Sequence, residues 1–215
     1  MTVNLLILAG TSEASQLAQA VATKGYGACL SYAGRVERPK AQPIKKRIGG
    51  FGGVQGLLAY LREEQITHVI DATHPFAAQI SENAVRACTE ARVPLLAFTR
   101  QPWRPEAADR WHVVPDIPAA AAALPAQKQT VMLAIGRMHL DLFSAQAHHH
   151  YFLRLVDPPK QVLALPNTTV VVSRGPFSTE QDIALMRAHE IEIVVSKNAG
   201  GHGAFSKIEA ARQLS

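Results

Sequence analysis

The feature that most constrains this chain is an alternation. Short apolar runs end in a glycine or small polar turn, and each turn is followed by a segment of helical period. Leu5-Leu6-Ile7-Leu8-Ala9 is apolar at every position and stops at Gly10. A strand without a polar face needs cover on both sides, the situation of a central strand in a parallel sheet flanked by helices. Residues 3–9 therefore read as a first strand. Residues 12–24 read as a helix, with Ala14, Leu17, Ala18 and Val21 on one face and Gly25 at its end. The same alternation predicts strands over 28–33, 68–72 and 94–99, and helices over about 54–64 and from near Pro75 to about Ala91. Between 33 and 54 the chain reads as a Pro- and Lys-containing connection that ends in a glycine-rich stretch.

Prolines break both periodicities in Gln101-Pro102-Trp103-Arg104-Pro105, which reads as a linker. The pattern then restarts, with strands over 111–114, 131–135, 151–156, 168–173 and 191–196, short helices between them and a last helix over 204–214. No sequence repeat of fixed period accompanies it. The fold class expected is α/β: two Rossmann-like parallel-sheet domains, 1–100 and 101–215, with a cleft between them.

Of the 215 residues 47% are hydrophobic, which excludes a disordered chain. No apolar run approaches the roughly 18 residues of a membrane span. The first residues lack a basic n-region, so they read as a strand rather than a signal peptide. A soluble, cytoplasmic protein without membrane contact is expected, with a monomer as the expected state. Cys29 and Cys88 lie in apolar segments and lack the spacing of a disulfide framework or metal site. The net charge of +5 is scattered, and its densest cluster, Lys45-Lys46-Arg47, lacks interleaved aromatic residues. An anionic small molecule fits this better than nucleic acid.

Open parallel sheets bind ligands beyond the carboxyl ends of their strands, so the turns there are the candidate sites. In Ala9-Gly10-Thr11-Ser12-Glu13, Gly10 permits close approach to a phosphate. The hydroxyls of Thr11 and Ser12 and the free amides of the new helix can bind phosphate oxygens. The full dinucleotide fingerprint is missing, Glu13 adds a negative charge, and an ordinary N-capped helix explains the same residues. The second turn, Tyr32-Ala33-Gly34-Arg35, has no acid for a ribose 2′-hydroxyl. Arg35 stands there instead, and a guanidinium can grip a 2′-phosphate, which implies NADPH rather than NADH. Gly49-Gly50-Phe51-Gly52-Gly53 holds more glycines than a plain turn needs, and close approach of a flat or anionic ligand would explain them. In Asp71-Ala72-Thr73-His74-Pro75-Phe76, Pro75 sits near the first turn of a helix, and Thr73 and His74 would face the cofactor.

In the second half Arg137, Arg174 and Lys197 each follow a strand, and their charges would converge on one rim suited to a polyanion. Ser173 lies beside Arg174, and Asn198 with Gly200 and Gly201 offers amide donors and a close-approach loop. Lys207 reads as an exposed helical lysine. His148-His149-His150 reads as a polar strand start, because consecutive strand residues point to opposite faces and cannot converge on one ion. No metal is expected.

Taken together, these turns resemble the precorrin-6A reductases of cobalamin biosynthesis. The marks are Leu8-Ala9-Gly10-Thr11-Ser12-Glu13-Ala14, Gly49-Gly50-Phe51-Gly52-Gly53, Asp71-Ala72-Thr73-His74-Pro75-Phe76-Ala77, Ala134-Ile135-Gly136-Arg137, Ser173-Arg174-Gly175-Pro176-Phe177 and Lys197-Asn198-Ala199-Gly200-Gly201. Each is weak alone; their order and combination are specific. The resemblance implies two Rossmann-like domains that use NADPH to reduce one double bond of the precorrin-6A macrocycle, giving precorrin-6B. The carboxylate-rich tetrapyrrole would lie on the cationic rim. Ala9 replaces the family's usual first glycine. The family also continues past the final Ala-Ala-Arg helix into a strand and tail, so a second domain shortened at its C-terminus is expected.

No residue announces itself as an obligatory acid: water, His74 or a substrate carboxylate can deliver the proton. A short-chain carbonyl reductase would need a Tyr and a Lys four residues apart on a helix, and none of Tyr26, Tyr32, Tyr60 and Tyr151 has that partner. A non-catalytic NADP(H)-sensing module would need the first half alone and leaves the second-half cations unexplained.

Overall fold

The computed structural model describes residues 2–33, 41–159 and 161–215. It divides into two compact units, Met1–Gln101 and Pro102–Ser215. The first holds a five-stranded sheet in the order β3-β2-β1-β4-β5, with every pairing parallel. Its strands are β1 (Asn4–Ala9), β2 (Gly27–Tyr32), β3 (Lys45–Ile48), β4 (His68–Asp71) and β5 (Leu95–Ala97). The helices are α1 (Ser12–Thr23), α2 (Gly53–Glu63) and α3 (Ala78–Ala91).

β1 is central and buried from Leu5 to Ala9, as its unbroken apolar run requires. Its side chains alternate between two cores. Leu6 and Leu8 pack with Leu57, Leu58 and Leu61 of α2 and Ala84 and Ala87 of α3. Leu5, Ile7 and Ala9 pack with Ala14, Ala18 and Val21 of α1. Cys29 and Cys88 are free and buried, and burial pushes the Cys88 thiol up to about 11.

Two expectations are corrected here. Residues 45–48 belong to β3, not to a connection. Its Lys-Lys-Arg-Ile sequence suits an edge strand, where one side of the ladder faces solvent and lysines discourage further pairing. The helix expected from near Pro75 begins at Ala78, because Pro75 and Phe76 form a turn in which Ala77 N–H bonds His74 O at 2.8 Å.

The second unit holds β6 (Thr130–Ala134), β7 (His150–Leu155), β8 (Thr168–Val172) and β9 (Ile193–Ser196), parallel and ordered β8-β7-β6-β9. Helices α4 (Ile117–Ala122), α5 (Thr179–Ala188) and α6 (Ser206–Leu214) cover it, and two 3₁₀ turns fill the connection from β6 to β7. The strand expected over 111–114 does not form. Val113 is 79% exposed, while Trp111 packs against a small cluster of Trp103, Ala199 and Ile208. The expected linker is likewise anchored: Trp103 is buried, and its indole N–H bonds Gly201 O at 2.7 Å. Among the described residues, no helix is long and apolar enough to cross a membrane.

Candidate functional site

In the first sheet the chain moves outward from β1 in both directions, through β2 to β3 and through β4 to β5. The loops after β1 and β4 therefore diverge at a topological switch point, where doubly wound sheets open a ligand crevice. Here these loops nearly touch. A Cβ added to Gly10 would lie 3.5 Å from the His74 backbone nitrogen and 3.8 Å from Thr73 Cα.

Thr11 caps α1, its Oγ1 accepting Ala14 N–H at 3.2 Å and donating to Ala72 O at 2.9 Å. That hydroxyl ties the β1 loop to the end of β4. The Ser12 and Glu13 amides, in the first turn, lack intrahelical acceptors. Ser12 Oγ donates to Glu13 Oε2 at 3.0 Å. Arg100 Nη1 stands 3.7 Å from the same carboxylate oxygen, with both side chains largely buried. The negative charge that made this turn a poor anion site is thus balanced by a cation arriving from beyond β5. The sequence reading missed Arg100, whose signal was its place just past a strand's carboxyl end.

Thr73 is also engaged locally: its N–H and Oγ1 donate to Asp71 Oδ1 at 3.0 and 2.7 Å. Asp71 is buried at the end of β4, and this paired donation satisfies it. The Thr73 hydroxyl proton is therefore committed to Asp71. His74 Nδ1 accepts Phe76 N–H at 3.3 Å, which places the proton of a neutral ring on Nε2. Pro75 is exposed beside it.

At the end of β2 the Tyr32 hydroxyl accepts from Gln42 Nε2 at 2.8 Å, and the same amide donates to Ser15 Oγ of α1 at 3.1 Å. Ala33 is exposed; Gly34 and Arg35 lie outside the described residues. After β3, Gly49, Gly52 and Gly53 have φ of +121°, +80° and +86°. Backbone conformation therefore accounts for most of these glycines, and the ligand-approach explanation is needed only for Gly50. The sequence reading missed Arg47, whose guanidinium holds this turn from inside.

The second sheet has its own switch point, between β6 and β9. Gly136, at φ +83°, turns the chain out of β6 and leaves Arg137 exposed, with Met138 72% exposed beside it. Lys197 follows β9 and is half-buried. Ser173 N–H bonds Leu155 O at 2.8 Å, extending the β7–β8 ladder. Arg174 lies 3.7 Å from Asp157 across that ladder, so its charge is partly balanced rather than wholly offered to a ligand.

Asn198 is engaged within the second unit. Its Oδ1 accepts Trp103 N–H and its Nδ2 donates to Trp103 O, both at 2.8 Å. Such a two-sided match to a backbone makes its side chain a structural clamp. Gly200 and Gly201, both at φ +64°, shape the loop beyond it. Lys207 is not exposed either: its Nζ donates to Ala204 O at 2.6 Å and lies 4.9 Å from the Trp103 ring. Burial pulls its ammonium down to about 8; nearby Asp182 opposes the fall and Arg154 adds to it.

Arg154 of β7 and Asp182 of α5 form a buried ion pair, Nη2 to Oδ1 at 2.6 Å, with the guanidinium 4.0 Å above the Phe177 ring. No periodicity announced this pair. Only His150 lies in β7; His148 and His149 precede the strand with ring centroids 4.0 Å apart, so strand alternation is not what separates the three. His149 Nδ1 accepts Gln129 N–H at 3.2 Å, His148 Nε2 lies 3.4 Å from Pro125 O, and His150 Nε2 lies 2.9 Å from Thr169 Oγ1. Burial, and then the charge of His148, hold His149 below its ordinary pKa. Among the described residues, no three His, Cys, Asp or Glu side chains gather as a metal site would need.

Residues 4–215 match the family model described as Precorrin-6x reductase CbiJ/CobK. A precorrin-6A reductase of Rhodobacter capsulatus is 57% identical over 210 residues, covering 98% of this chain and 84% of that protein. One from Mycobacterium tuberculosis H37Rv is 38% identical, with 98% and 84% covered. A cobalt-precorrin-6A reductase of Priestia megaterium is 29% identical, with 98% and 86% covered. A solved structure of a CobK precorrin-6A reductase superposes with a TM-score of 0.97 at 56% identity, over all of this chain and 85% of that one. Two parallel-sheet units and a match of this order over nearly the whole of this chain identify it as a member of the precorrin-6x reductase family, and hence as an oxidoreductase.

Proposed function

We propose that this protein uses NADPH to reduce one double bond of precorrin-6A, giving precorrin-6B, in cobalamin biosynthesis. The observation that carries the cofactor assignment is Gly10. Its backbone is not in the left-handed region, and a Cβ there would meet the protein only at ordinary van der Waals distance. The fold itself does not demand a glycine, and we read the missing side chain as room for a ligand that approaches the switch point closely. The groups around it suit a pyrophosphate: the Ser12 and Glu13 amides at the start of α1, and Arg100 close to Glu13. In this reading Arg35 grips the 2′-phosphate, Tyr32 and Ala33 flank the adenosine half, and Gly52, Gly53, His74 and Pro75 line the remaining loop edge.

Bound at this loop edge, NADPH would supply a hydride to the double bond, while the protein would supply orientation, exclusion of water and charge complementarity. His74, as the Nε2–H tautomer, is placed to hold a proton at the loop that borders Gly10. In the second unit, Arg137 and Lys197 follow the two strands that flank the switch point, while Arg174 stands past β8. Precorrin carboxylates would pair with these cations, and the exposed Met138 offers apolar surface to the ring. The family carries the assignment of reaction class and leaves a non-catalytic sensor without support.

The test is an assay of NADPH oxidation with precorrin-6A alongside the tetrapyrrole spectrum, for the wild type and for Gly10→Ala. Turnover with matched spectral change is expected in the wild type. In Gly10→Ala we expect NADPH affinity to fall roughly tenfold or more, as for a methyl group forced into a ligand contact, with an unchanged unfolding midpoint. Equal affinity in the variant, or cofactor oxidation without change in the tetrapyrrole, would overturn the reading. Arg35→Ala should abolish the preference for NADPH over NADH.

A further inference from the structure

We propose that Arg47 is the positioning residue of the glycine-rich turn, fixing the outward direction of its amides and so setting NADPH affinity without touching the cofactor. The inference rests on the reading of the first unit as the NADPH-binding one.

Arg47 is the third residue of edge strand β3, and its guanidinium reaches across the turn that follows. Nη1 donates to Gly49 O at 2.9 Å and to Ser31 Oγ of β2 at 2.8 Å; Nη2 donates to Gly50 O at 3.2 Å. The planar group lies 3.9 Å from the centroid of Phe51 and 5.2 Å from that of Tyr60, and those two rings meet edge to face at 5.2 Å. One side chain thus engages two successive carbonyls of the turn, the neighbouring strand and two aromatic rings.

The consequence follows from peptide geometry. In a trans peptide the C=O of one residue and the N–H of the next point in opposite directions. With the Gly49 and Gly50 carbonyls drawn in to the guanidinium, the Gly50 and Phe51 N–H groups are turned away from it. Gly49 N–H is itself tied to Tyr32 O at 2.9 Å, so the near end of the turn is anchored to β2. At the far end the Phe51 carbonyl presses on α2, where a Cβ on Gly56 would lie 1.7 Å from its oxygen. Held at both ends, the turn presents a short row of backbone donors at the carboxyl edge of the sheet, an arrangement suited to an anionic or carbonyl-bearing ligand.

Lysine cannot reproduce this. A single ammonium lacks the planar fork that serves two carbonyls at once and does not stack on a ring as a guanidinium does. Arg47→Lys therefore keeps charge and bulk while removing the geometry, and is the informative variant.

Two measurements on the full chain test the proposal. Without ligand, hydrogen exchange of the Gly49 amide, which is bonded to Tyr32 O, should rise roughly tenfold or more in Arg47→Lys, with β1 and β4 unaffected. Titration with NADPH, followed by nicotinamide fluorescence, should show affinity lower by roughly tenfold or more, with kcat at saturating NADPH within about twofold of the wild type. In Arg47→Ala, millimolar guanidinium should restore part of the lost affinity. A wild type that takes up no NADPH would overturn the cofactor reading and this proposal with it. A wild type that binds, beside an Arg47→Lys variant that binds as tightly or whose Gly49 amide exchanges as slowly, would overturn this proposal alone.

Discussion

Single residues carry much of the interest, because several side chains that look like ligand donors in the sequence turn out to be fasteners. Thr11 and Asn198 hydrogen-bond the backbone around them, and the Thr73 hydroxyl bonds the Asp71 carboxylate. A hydroxyl or amide in a loop is legible as a donor, but its choice between ligand and neighbouring carbonyl is made by tertiary geometry. Arg47 and Arg100 escaped notice for the converse reason: Ser31 and Tyr60 in the one case and Glu13 in the other lie on strands and helices distant in sequence. Lys207 shows the same limit and yields a measurable consequence. Its pKa is about 8 in the folded chain against 10.5 for an ordinary lysine. Between those values the unfolded chain binds more protons, so stability should rise as pH climbs from 8 to about 10, relieving a penalty on the order of 3 kcal/mol. Below pH 8 both states are protonated and the penalty is fully present. Lys207→Met should flatten that segment of the profile, as read by urea midpoints at pH 7, 8.5 and 10. Parallel profiles for the two proteins would contradict this account of its burial.

At the level of elements, legibility tracked burial. Strands covered on both faces, such as β1, β6 and β7, have sequences that are apolar nearly throughout and hard to mistake. β3 is an edge strand of two lysines, an arginine and an isoleucine, and only its pairing with β2 makes it a strand. Residues 111–114 err in the other direction. Their β-favouring composition finds no neighbour to pair with, and Trp111 serves a hydrophobic cluster instead. Helix α2 shows how tightly one element can depend on the loop before it. Because a Cβ on Gly56 would lie 1.7 Å from the Phe51 oxygen, Gly56→Ala must displace either the helix or the glycine-rich turn. We expect a loss of about 2–3 kcal/mol in urea denaturation despite alanine's better helix propensity. A variant as stable as the wild type would show that the turn yields freely, contrary to the fastening ascribed to Arg47.

Over the whole molecule, the two sheets share one winding. β3-β2-β1-β4 and β8-β7-β6-β9 follow the same spatial order, although no repeat is visible in the sequence. Alternation of strand and helix was enough to foresee two parallel sheets, since it reflects burial, which many sequences satisfy. The division between residues 101 and 102 coincides with a proline-rich stretch whose meaning was only half legible. The prolines do end the first unit, but Trp103 begins the second as part of its core. Each unit has hydrophobic clusters of its own. A fragment of residues 1–101 should therefore fold alone, with a cooperative urea transition and retained affinity for NADPH. A fragment without such a transition would mean that its core depends on the rest of the chain.

The fastening of the second unit's opening residues has one more consequence. Trp103 is gripped by Asn198 and Gly201, and the Arg212 guanidinium near the end of α6 bonds the Asp109 carboxylate at 2.9 Å. These bonds join residues about a hundred positions apart in sequence. A single cleavage in an exposed loop between them should therefore leave the two pieces of this unit associated, as a nicked but intact domain.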